Sequence, residues 1–180
     1  MKYLSLLRGI NVGGQKSVNM HELRSLYVQL GLDNVVTYIQ SGNVVFDSSS
    51  KNKTEISKKI ENAIYGKFKF HVPVEIRSKA ELAAIIKNCP YAFADTEDYG
   101  TRILVSFLSD KPSKANVNNL LEYVIAPEQL VVHKTEAYLF CPNGYGKSKL
   151  SNRFLEQKLN VGATTRNWKS VNTLFELLQQ

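Results

Sequence analysis

Apolar and polar positions alternate between two periods along this chain, and the order of those periods predicts its elements. Tyr3 to Arg8 is dense in aromatic and aliphatic residues and predicts a strand, which a polar, glycine-rich stretch ends. Asn19 followed by Glu22 has the spacing of a helix-capping box. Met20, Leu23, Leu26, Tyr27 and Leu30 then recur at helical spacing up to a stop at Gly31. Val35 to Gln40 and Asn43 to Asp47 are β-rich runs, and the expected connection is a two-residue hairpin turn at Ser41-Gly42. In that register Gln40 opposes Asn43, and Tyr38 opposes Val45. Thr54 is the expected cap of a second helix that buries Ile56, Ile60, Ala63 and Ile64. Val72 to Arg77 is the fourth strand, and Glu81 to Lys87 continues as a short helix that Pro90 interrupts.

The same order then returns. Arg102 to Leu108 predicts a strand, and Lys114 to Val124 a helix with Val117, Leu120, Leu121 and Val124 inward. Gln129 to His133 and Ala137 to Cys141 predict a hairpin around Lys134-Thr135-Glu136. Ser148 to Leu159 predicts a helix, Ala163 to Arg166 a strand, and Val171 to Leu178 a terminal helix. The expected fold class is α+β: two ferredoxin-like βαββαβ units with mainly antiparallel sheets and a C-terminal helix. The expected division is residues 1–91, a polar linker at 92–100, and residues 101–180. Residue identity between the halves is low, so the repeat is one of topology.

Composition narrows the classes. With 43% hydrophobic and 22% charged residues, a 180-residue chain has the make-up of a globular protein. Its longest apolar runs are far shorter than the ~18 residues of a membrane span. The apolar stretch from Tyr3 to Leu7 is too short for a secretory signal, so the expected location is the cytoplasm. Two cysteines, Cys89 and Cys141, suit a reducing compartment. The net charge of +7 favours anionic partners such as nucleic acid or a phosphorylated metabolite.

Two groups of residues are not explained by packing. In the expected topology the end of the first strand meets the first hairpin, which gathers Arg8, Asn11, Gly13, Gly14, Gln40, Ser41 and Asn43. Gly13 and Gly14 would place helix N–H groups toward an anion, and Arg8 would grip it bidentately. In the second half the loop with Lys147 and Ser148 is expected beside Thr165, Arg166, Asn167 and Trp168, with Arg166 as the charged anchor and Trp168 as an apolar wall. Neither loop is a nucleotide fingerprint. Gly9 to Gly14 lacks the G-x-G-x-x-G spacing, and Cys141 stands where a Walker A loop begins with Gly.

Catalytic patterns are sparse. His21, His71 and His133 have no metal-ligand spacing, and no G-x-S-x-G elbow is present. Cys141 ends a strand, yet no expected neighbour is a base that would activate it. No cofactor is expected. The leading reading is a binding protein for an anionic ligand. Its rivals are an enzyme acting on a small polar substrate in a cleft between the halves, and a scaffold whose polar motifs only shape turns. The oligomeric state is open.

Three segments carry a family resemblance. They are Leu7 to Gly14, Thr37 to Phe46, and Thr164 to Trp168. Together they resemble the signature blocks of the bacterial domain of unknown function 1697. The resemblance implies a two-part α/β protein built of ferredoxin-like units, and it implies no assigned activity. The chain departs from that pattern at Lys169-Ser170, where the family tail often has Asn-Thr.

Overall fold

In the computed structural model, residues 1–91 and 100–180 are described. Two compact units emerge, one of Met1–Ala83 with Leu174–Gln180, the other of Ala84–Thr173. The expected linker at 92–100 lies, apart from Gly100, outside the described residues.

The first unit runs β1 (Lys2–Leu7), α1 (Met20–Gln29), β2 (Asp33–Tyr38), β3 (Asn43–Asp47), α2 (Lys53–Phe68) and β4 (Val74–Ser78), followed by α3 (Lys79–Lys87). Its sheet has the order β2-β3-β1-β4, with every neighbour antiparallel. The second unit runs β5 (Ile103–Leu108), α4 (Lys114–Leu121), β6 (Gln129–His133), β7 (Glu136–Phe140), a 3₁₀ turn (Tyr145–Lys147), α5 (Asn152–Leu159) and β8 (Ala163–Asn167), followed by α6 (Trp168–Gln179). Its sheet order is β6-β7-β5-β8, again antiparallel. The expected α+β class, two antiparallel βαββαβ units and a terminal helix, is the observed one.

Each sheet buries one face under its own two helices. In the first unit Tyr3, Leu7, Val44, Phe46 and Ile76 meet Leu23, Leu26 and Tyr27 of α1 and Ile56, Ile60 and Ile64 of α2. Ser5 is the polar member of this face, and its Oγ shares a 2.9 Å hydrogen bond with the Tyr27 hydroxyl. Burial holds the Tyr27 phenol far above its ordinary value, so it stays neutral in the core. Each fully buried Leu or Ile here contributes roughly 1.5–3 kcal/mol. An exposed ion pair such as Lys67–Glu22 at 3.3 Å contributes about 0–1 kcal/mol. Apolar burial therefore dominates the stability of the unit.

Capping sets the helix starts, and it corrects two of them. Asn19 caps α1 as expected, its Oδ1 accepting from His21 N at 2.9 Å and Glu22 N at 3.2 Å. For α2 the cap is Asn52, whose Oδ1 accepts from Glu55 N, and Thr54 lies inside the helix. The helix expected from Ser148 begins only at Asn152. Ser151 caps it, because its Oγ reaches Phe154 N three residues on. In α4, Leu120 is buried as expected, whereas Leu121 is 42% exposed.

The hairpins differ from expectation in opposite directions. Tyr38 pairs with Asn43 and Val36 with Val45, so the first loop has four residues, Ile39 to Gly42, and Gln40 stands outside the ladder. The cause is Asn43. Its fully buried amide donates to Tyr38 O at 3.1 Å and Ser41 Oγ at 2.9 Å, which closes the wider loop. The second hairpin pairs His133 with Glu136 and turns on two residues, Lys134 and Thr135, with Lys134 at φ 54°.

The repeat extends to individual bonds. Leu7 N donates to Gly42 O and Arg8 N to Pro73 O; Leu108 N donates to Thr135 O and Ser109 N to Gly162 O. Ser5 and Ser106 are both the fourth residue of the central strand, and both are fully buried. Arg77 and Arg166 are both the fourth residue of the last strand. Arg77 Nη1 donates to Ile76 O at 3.1 Å, and Arg166 Nη1 to Thr165 O at 2.9 Å.

Candidate functional site

The first group of candidate residues assembles at the C-terminal end of β1. Asn11 takes φ 55°, a left-handed conformation that Asn tolerates better than most residues. From there its amide clips two segments together. Oδ1 accepts from Val18 N at 2.8 Å, and Nδ2 donates to Val18 O at 3.0 Å and to Gln40 O at 2.8 Å. The glycine-rich loop and the first hairpin therefore meet, as their placement at one end of antiparallel neighbours requires.

Gly42 makes that meeting close. A Cβ on Gly42 would stand 2.7 Å from both Leu7 Cβ and Ile10 Cδ1, and its φ is +77°. Gly13 and Gly14, at φ 60° and 73°, form the tip of a tight turn in which Gln15 N donates to Val12 O at 3.1 Å. This corrects the expectation that they open onto a helix N-terminus. The helix begins at Met20, and Asn19 already occupies its first N–H groups.

Charge surrounds these loops. Arg8 is half-buried, with its backbone N–H on Pro73 O at 3.0 Å. Lys16, at φ 47°, extends its ammonium to His71 O at 2.7 Å. His71 in turn stacks on Tyr65, ring centroids 4.3 Å apart. Lys16 and Tyr65 are contributors that the sequence reading missed. Lys16 carries no motif, and Tyr65 looks like any exposed residue of an amphipathic helix.

The second group separates. Strand alternation puts Thr165 on the face that bears α4 and α5, beside Ser106, and turns Arg166 to the other face. Thr165 Oγ1 bonds Ser106 Oγ at 2.6 Å and donates to Asn152 Oδ1. Arg166 is 8% exposed, and burial brings its guanidinium down to about 10. Asn167 Oδ1 accepts from Ser170 N at 2.8 Å, which caps α6, and Trp168 is buried. Ser148 Oγ accepts from Leu150 N at 3.0 Å, while Lys147 is exposed on the 3₁₀ turn. The site residues Lys147 and Ser148 thus precede the helix by a turn and do not form its N-terminus. The two groups also occupy opposite ends of equivalent sheets. The first lies where β1 ends, and the second where β5 begins, since Leu104 pairs with Asn167.

Cys141 is fully buried, and burial pushes its thiol up, away from the reactive thiolate. Among the described residues no cluster of His, Cys, Asp and Glu could hold a metal ion, and no helix is long and apolar enough to cross a membrane.

Two antiparallel βαββαβ units, with clipped glycine loops at the end of the first central strand, define a two-unit α+β protein. The chain belongs to the family described as Protein of unknown function (DUF1697), which it matches over residues 1–138. That span includes the segments from Leu7 to Gly14 and from Thr37 to Phe46 and ends before Thr164 to Trp168. Among solved structures, the chain is similar to the conserved bacterial protein SP0830 from Streptococcus pneumoniae. Identity is 26% and the TM-score 0.77, over 99% of this chain and 98% of that one. No curated protein matches the chain.

Proposed function

We propose that the chain binds an anionic ligand at the C-terminal end of β1, with the loop from Arg8 to Lys16 and the loop from Ile39 to Asn43 as the binding edge. The observation that carries this reading is the concentration of left-handed backbone there. Gly9, Asn11, Gly13, Gly14, Lys16, Ile39 and Gly42 all take positive φ, more than half of such positions among the described residues. Ile39 is β-branched, half exposed and at φ 51°, a conformation that costs roughly 1–2 kcal/mol. Strain of this kind collects at binding and switch segments. Lys16 and Arg8 supply the charge. The +7 balance of the whole chain favours the same class of ligand.

Titration with tripolyphosphate at low ionic strength tests the reading. Lys16→Ala should weaken binding roughly tenfold to a hundredfold, the loss of one charge-assisted contact. Lys16→Arg should restore most of it, and the far-ultraviolet circular dichroism of both variants should match the wild type. Lys147→Ala, in the second unit, should bind as the wild type does. Absence of binding by the wild type, or a loss confined to Lys147→Ala, overturns the assignment.

A further inference from the structure

We infer that the ligand of this edge is single-stranded nucleic acid, with one base stacked on Tyr65; the inference rests on the anion-binding reading above. Lys16 links the glycine loop to His71, and His71 covers one face of the Tyr65 ring at 4.3 Å and 15° between planes. Tyr65 nevertheless remains 47% exposed, so the stacked ring is still within reach of a ligand from solvent. An exposed aromatic ring, already held flat by a stacked neighbour, is a pre-ordered platform for a further π-surface.

The surroundings carry the matching charge. Lys58, Asn62, Tyr65 and Lys69 follow one another at helical spacing and are all exposed, forming a stripe about 16 Å long on α2 and its C-cap. Lys16 adjoins it through His71. A free phosphate needs no ring, and a duplex has its bases stacked on one another. Lysines tracking a backbone beside an exposed ring fit an unpaired strand.

Three ligands separate this inference from the reading beneath it: a short oligouridylate, the same strand annealed to its complement, and polyphosphate of matched charge. The oligouridylate should bind more tightly than the polyphosphate and the duplex. Tyr65→Ala should weaken the single strand about fivefold to a hundredfold and leave polyphosphate binding unchanged. Tyr65→Trp should retain affinity, and its added indole should be quenched when the strand binds. If Tyr65→Ala binds the single strand as the wild type does, or if polyphosphate or duplex competes equally well, the base platform is overturned while anion binding stands. If none of the three binds at low salt, both readings fall.

Discussion

The side-chain amide of Asn11 donates to the carbonyl oxygen of Gln40 at 2.8 Å and ties two loops that are 29 residues apart in the chain. The same amide accepts from Val18 N. One side chain therefore holds the entry to α1, the glycine loop and the first hairpin in register.

Removing that clip should free the loops without unfolding the unit. Asn11→Gly keeps the left-handed backbone and deletes the three side-chain bonds, at about 1–3 kcal/mol. Asn11→Ala should cost about 1–2 kcal/mol more, because Ala also resists positive φ. Amide exchange at Val18 should speed up in both variants, and unchanged protection there would show that the clip does not hold the loop.

Gly42→Ala tests the close approach of the hairpin. The added methyl would meet Leu7 and Ile10 at 2.7 Å on a backbone at φ +77°. Overpacking and backbone strain together should cost roughly 2–4 kcal/mol, a fall in Tm of roughly 5–15 °C. Gly13→Ala, where a Cβ meets nothing within 4 Å, should cost only the backbone term. Equal losses in the two variants would refute the contact.

Glu81 provides a pH-dependent contribution to the first unit. Its Oε2 accepts from Ser78 N at 2.8 Å and Ser78 Oγ at 2.9 Å, while Ser78 Oγ accepts from Glu81 N, a reciprocal capping box. Burial opposes the charge, but these bonds and the ammonium of Lys53 hold the carboxyl below its ordinary value. The depressed folded value makes this stabilisation complete above the ordinary carboxylate range and lost as pH falls through the folded value. Urea midpoints measured from neutral to acid pH should show that loss in the wild type and a shallower one in Glu81→Gln. Parallel curves would remove Glu81 from the balance.

Arg77 and Arg166 are equivalent in the repeat and should respond alike. Each is buried and donates to the carbonyl of the residue before it. Arg77→Ala and Arg166→Ala should each lower stability by about 2–4 kcal/mol through lost packing and lost bonds. Thermal unfolding reads this directly, and a neutral Arg166→Ala would show that the charge is held for something other than the fold.

The order of elements was legible in the sequence because it depends on local physics. Period-2 and period-3.6 patterns, the cap at Asn19 and the helical spacing from Leu23 to Leu30 are written within a few residues of where they act. The juxtaposition of Asn11 with the first hairpin also followed, since antiparallel β1 and β3 leave their joined ends nowhere else to lie. Tertiary structure decided what short-range patterns do not encode. Asn43 widened the first turn to four residues because its buried amide needed Tyr38 O and Ser41 Oγ. Thr165 and Arg166 are neighbours in the chain, yet strand alternation sent them to opposite faces. The role of Lys16 depended on His71, 55 residues away. A residue's type and spacing determine which bonds it is able to make; which bonds it does make is set by the partners that packing brings to it.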